Sequence, residues 1–188
     1  MKLLDLLVEK QTAVCERWLD AVLAGYGELT AARWRREKDP FANPIGHALV
    51  TGLPPLLESV LRDGEPAAGA AAALETLVRI RAVQDMAPSR AVGFVLELRG
   101  AIRQELAAEL ARGAHAEELA EVEVRIERLL LRAFDVYVGL RDQISRLRRE
   151  ELKRSVGYLL RRWHGEEQSG AEPGVVKLSP PAAPGAGR

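Results

Sequence analysis

The chain has 188 residues, 47% hydrophobic and 29% charged, with 27 Lys plus Arg against 27 Asp plus Glu. This fits one soluble domain with a sizeable core and argues against a nucleic-acid footprint over the whole surface. No apolar run approaches the roughly 18 residues of a membrane span and no secretory signal pattern opens the chain, so the expectation is a cytoplasmic protein that is not transmembrane. Cys15 is the single cysteine and the three histidines are scattered, which excludes an intramolecular disulfide and a multi-cysteine metal site; no cofactor or metal is expected.

The helical period fits almost everywhere. Leu3, Leu4, Leu7, Val14, Cys15, Trp18 and Val22 recur at three and four residue steps, interrupted at Lys10 and Gln11, and predict a first helix ending near Gly25 with Cys15 in the core. A second piece, Leu29 to Lys38, must stop at Asp39-Pro40, because the residue before proline is pushed out of the α region. Asn43 is placed as N-cap of a third helix with Pro44 at its first position. Pro54 and Pro55 inside that helix predict a kink or a break near Gly52. Beyond Asp63-Gly64-Glu65-Pro66, Leu74, Leu77, Val78 and Ile80 carry a fourth helix to Met86, and a fifth runs from Pro88 or Ser89 to Gly113.

From Ala116 to Trp163 there is no proline, and Leu119, Val122, Ile126, Leu129, Ala133, Val136 and Leu140 approach a heptad seam. Val124, Leu130, Leu131, Phe134 and Val138 widen it, predicting burial on more than one side. The stripe narrows to Ile144, Leu147, Leu152, Val156, Leu159 and Trp163. One unbroken helix here would be about 70 Å long at 1.5 Å per residue, so either it breaks, with Gly139 and Gly157 as candidates, or its end protrudes. The tail from Gly165 holds five glycines and four prolines and is expected to be disordered.

Residues suited to chemistry are few. His47 could bind haem or metal in an all-α fold, but no second ligand lies at helical spacing, so a partly buried structural histidine is favoured. Phosphate loops, nucleophile elbows and paired histidines are missing, so no enzyme activity is expected. Glu117, Glu118, Glu121, Glu123 and Glu127 read as a solvated face with Arg125 and Arg128 as partners. Arg81 occupies a place on the stripe of Leu74, Leu77 and Val78 where a hydrophobe belongs, and a buried arginine requires a partner. Asp85, one turn on, is the expected partner, with Asp39 or Glu37 of the Arg35 to Asp39 loop as another, in a structural clasp favoured over a ligand pocket. The segment 141–163 carries eight Lys or Arg against three acidic residues. Within it Arg148, Arg149, Lys153 and Arg154 are candidate contacts for an unidentified protein partner, and a solvated helix end protecting a dimer seam fits equally well. Tyr158 and Trp163 are too few aromatics to support single-strand nucleic-acid binding.

Three strings, Arg36-Glu-Lys-Asp-Pro-Phe-Ala-Asn-Pro-Ile-Gly46, Ile80-Arg-Ala-Val-Gln-Asp-Met-Ala-Pro-Ser-Arg-Ala-Val92 and Ala133-Phe-Asp-Val-Tyr137, give the chain from about Leu3 to Leu160 a resemblance to a known family. It resembles the N-terminal domain of RsbRD-type co-antagonists of RsbT. The resemblance implies an all-helical, dimeric sensory module related to the non-haem globin-like domains of stressosome proteins, whose last helix leads into a STAS domain. Similar stand-alone versions accompany components of sulfite-reduction electron-transfer complexes. A Gly/Pro-rich tail follows Trp163 where the family places its STAS domain, so a stand-alone version is expected here. The family supplies no catalytic residue to carry over.

The expectation is an all-α chain with a single globin-like helical bundle over residues 1–163, a long last helix over 116–163 and a tail over 164–188. Two functions remain open: a non-enzymatic regulatory or sensory module acting through homodimerisation or partner docking by the last helix, and an accessory protein of a respiratory redox complex docking through 141–163. A small-ligand or haem pocket around His47 is a weaker third.

Overall fold

In the computed structural model, which describes residues 2–37, 39–62, 68–113 and 115–169, every regular element among those residues is helical. In chain order these are α1 (Leu3–Glu9), α2 (Gln11–Ala24), α3 (Glu28–Arg36), α4 (Pro44–Leu61), α5 (Ala68–Val83), α6 (Pro88–Val92), α7 (Phe94–Glu105), α8 (Ala107–Leu110) and α9 (Ala116–Ser169). Residues 1–144 make one compact unit, and a second begins at Ser145. The tail beyond residue 169 and the stretch Asp63 to Pro66 lie outside the described residues.

The first unit is organised around α4. Asn43, buried and at the predicted N-cap, accepts from Gly46 N at 2.9 Å through Oδ1, while Nδ2 donates to Trp34 O at 2.8 Å and Glu37 O at 2.9 Å. One amide thus starts α4 and ties down the C-terminal end of α3. Gly46 has no room for a Cβ, which would collide with that side chain. Gly52 lets α5 come close, since a Cβ there would stand 3.2 Å from Leu77 Cδ1. Leu53, Leu56 and Leu57 of α4, Leu77 and Val78 of α5, Trp18 of α2, Leu98 and Ile102 of α7 and Ile126 of α9 belong to one buried cluster, each worth about 1.5–3 kcal/mol of apolar burial.

The prolines do not break α4, which continues through Pro54 and Pro55 to Leu61. The carbonyls that lose their partners belong to Val50 and Thr51, both on the exposed side where water can replace the bonds, and Thr51 Oγ1 donates to His47 O at 2.8 Å. Conversely, the predicted fifth helix is three, divided at Gly93 and Leu106.

The long helix α9 is continuous past Gly139 and Gly157 and runs to Ser169, beyond the expected end at Trp163. In the first unit it buries Leu119, Val122, Ile126, Leu129, Ala133 and Leu140 of the expected seam, while Tyr137 is buried in the place expected of Val136, which is half-buried. Of the residues expected to widen the buried stripe, only Leu130 packs against the core, and it is half-buried. Val124, Leu131, Phe134 and Val138 are exposed, Leu131 by 64%, because they lie on the flank turned away from that seam. On the acidic face of α9, Glu123 meets Arg103 at 2.7 Å and Glu127 meets Arg99 at 2.9 Å, both from α7, and Arg125 donates to Val60 O and Leu61 O.

Candidate functional site

The α5 stripe carries Arg81 inside with Leu74, Leu77 and Val78, leaving it 4% exposed. Its guanidinium lies against two rings, with Cζ 4.5 Å from the Phe94 centroid and 5.4 Å from that of Tyr26. Nη1 reaches Arg90 O only at 3.5 Å. Nη2 and the Tyr26 hydroxyl are both buried and have no hydrogen-bond partner among the described residues. Burial holds the Arg81 guanidinium below its usual pKa, the nearby Tyr26 only partly opposing it. The Tyr26 phenol is pushed up by its own burial against the opposing charges of Arg81 and Arg90.

Magnitudes show how incomplete this arrangement is. Burying an ion costs several kcal/mol even after relaxation, whereas a cation–π contact returns about 0.5–2 kcal/mol. Two rings and one long hydrogen bond soften the cost but supply no counter-charge. A cavity of about 350 Å³ opens beside the guanidinium, walled by Val22, Tyr26, Met86, Phe94 and Leu96 with Arg90 and Glu97 also on its lining.

Each wall is held by the fold. Tyr26 sits in the turn after α2, where Gly27 adopts φ +88°, and packs on Trp34 at 4.8 Å. Trp34 is in turn fixed through its carbonyl by Asn43. Phe94 opens α7, its carbonyl accepting from Trp18 Nε1 at 2.6 Å and its ring stacked 6.4 Å from the indole. Met86 O accepts from Tyr137 OH at 2.6 Å. At the α6–α7 junction Gly93 is required, since a Cβ would stand 2.6 Å from Ser89 O.

The clasp expected of Arg81, Asp85 and Asp39 is not the arrangement found. Helix α5 ends at Val83, and Asp85 has a left-handed backbone, φ +58°, so it no longer stands one helical turn above Arg81. Its carboxylate pairs with Arg141 of α9 instead. Asp39 turns back into its own loop and accepts from Phe41 N at 2.9 Å. Of the other predicted residues, Arg148, Arg149 and Lys153 are exposed on the second unit, and Arg154 stands 3.8 Å from Glu150. His47 is exposed on the rim of a separate cavity that Trp34 also lines. Among the described residues no cluster of three His, Cys, Asp or Glu side chains is placed to hold a metal ion. Cys15 is half-buried rather than in the core, on a third cavity, with its thiol pushed up to about 11 by burial and by Glu16.

The family model for the RsbT co-antagonist protein rsbRD N-terminal domain matches residues 12–152. The chain belongs to this family. It is thereby placed among regulatory domains of stress signalling. No curated protein and no solved structure matches it. In this RsbRD N-terminal domain the three strings that carry the resemblance converge on one neighbourhood: the first supplies Asn43, the second Arg81, Met86 and Arg90, and the third Tyr137. Tyr26 and Phe94 went unrecognised in the sequence. Tyr26 had a usable signal, an aromatic held between two glycines in a chain with only 5% aromatics; Phe94 had none beyond its apolar character. No helix among the described residues is long and apolar enough to cross a membrane.

Proposed function

We propose that the chain is a non-enzymatic, cytoplasmic regulatory module that acts as a homodimer through α9. The observation that carries this reading is the exposed apolar flank of α9 in the first unit, where Val124, Leu131 and Val138 follow one another at seven-residue spacing with Phe134 beside them. That spacing is what two helices need to bury a common seam, and a second copy presents the same seam. The spacing recurs along the sequence at Leu152 and Leu159, which are likewise exposed in the second unit.

Light scattering on the full chain is expected to give the mass of a dimer. The pair Leu131→Glu and Val138→Glu should convert it to a monomer with an unchanged far-ultraviolet helix signal. A monomeric wild type, or a dimer indifferent to these substitutions, would overturn the reading.

A second reading is favoured by the exposed cations Arg148, Arg149 and Lys153 with Arg154, which suit an acidic protein partner such as a subunit of a redox assembly. Charge reversal at the four positions should then abolish co-purification of that partner while leaving the mass of the isolated protein unchanged.

A further inference from the structure

We propose that the cavity beside Arg81 is a binding site for a small organic monocarboxylate. Two residues of its lining carry a buried polar group with no hydrogen-bond partner among the described residues: Nη2 of Arg81, which is 4% exposed, and the Tyr26 hydroxyl. Both are donors, and together they suit the two oxygens of one carboxylate. The charge of the lining selects a monoanion. Arg81 and Arg90 contribute two positive charges and Glu97 one negative, which leaves one to be balanced, whereas a phosphate dianion would bring an excess. The remaining walls, Val22, Met86, Phe94 and Leu96, are apolar and favour a carboxylate with a short hydrocarbon chain over an inorganic ion. The volume, about 350 Å³, falls at the small end of ligand pockets. This assignment is independent of the dimer proposed through α9.

The probe is hexanoate, titrated into the full-length protein at fixed ionic strength and followed by ligand-observed NMR, with hexanamide and inorganic phosphate as comparators. Hexanoate is expected to bind saturably and to raise the melting temperature, with hexanamide and phosphate doing neither. Arg81→Met, which keeps the length of the side chain and removes the charge, should abolish binding. Tyr26→Phe keeps the ring, removes one donor and should weaken binding about tenfold; it also keeps the test open if Arg81→Met fails to fold. The assignment is overturned if hexanoate does not saturate, if phosphate binds in its place, if hexanamide binds equally well, or if Tyr26→Phe leaves hexanoate affinity unchanged.

Discussion

The same bundle houses its cations in two opposite ways. Near the junction of α1 and α2, Lys10 Nζ meets Glu109 at 2.9 Å and Glu105 at 3.7 Å, and Arg17 Nε meets Glu105 at 2.6 Å. These charges are partly open to solvent and each has an acid. Arg81 is buried, lies against two aromatic rings and makes no ion pair among the described residues. A cluster of the first kind can be explained by the folding of the chain alone, because attraction and solvation both favour it. The second kind carries a cost that two rings and one long hydrogen bond do not recover, so the contrast separates a place built for stability from one kept in spite of it.

The contrast breaks most severely if the floor beneath Arg81 is removed. Trp18→Ala deletes a fully buried side chain and the donor to Phe94 O, and urea unfolding should show a loss of about 3–5 kcal/mol. Asn43→Ala frees the Trp34 end of the aromatic row and should cost about 2 kcal/mol, combining a lost cap with stranded buried carbonyls. Both substitutions should disturb the Tyr26 and Phe94 environments in NMR spectra.

The paired cluster is tested by pH. Its hydrogen bond from Arg17 lowers the pKa of Glu105, and that from Lys10 lowers the pKa of Glu109, so both sit below the ordinary 4.5. Their contribution is therefore complete above that value and is lost as pH falls through the lowered ones. The bond to Glu109 raises Lys10 above 10.5; its contribution is complete below that value and is lost as pH rises through the raised one. In Lys10→Met both limbs of melting temperature against pH should flatten, the acid limb only in part because Arg17 still lowers Glu105.

The smallest expected change in stability is also the most telling. Arg81→Met should leave stability in the absence of ligand unchanged or slightly raised, since it exchanges an uncompensated buried charge for an apolar chain of similar length. A large loss by urea unfolding would place Arg81 with the structural cations instead. Cys15 offers a control away from both places: with its thiol at about 11, alkylation at neutral pH should be much slower than for a free cysteine and should accelerate up to that value.

Much of this was legible in the sequence where local rules act alone. Asn43 and Pro44 marked the start of α4, and the inner seam of α9 followed from its spacing, because caps and periodicity are written within a few residues of one another. Burial of Arg81 was legible too, from its place on the α5 stripe. Its partner was not. The i+4 rule assumes a helix that continues, whereas α5 stops at Val83, Asp85 takes a left-handed backbone, and its carboxylate pairs with Arg141, more than fifty residues away. Tyr26 and Phe94 reach Arg81 through tertiary packing, which no local pattern encodes. The exposure of Leu131 and Val138 was missed for a related reason: apolar spacing identifies a face without saying what covers it.

Tyr137 and Arg141 stand four residues apart, hence on one face of α9, and grip Met86 and Asp85, two consecutive residues of the turn beyond α5. Met86 also lines the cavity beside Arg81. Turning α9 about its own axis must therefore either carry that turn along or break both bonds together. Helix and cavity rim are geared, with two teeth.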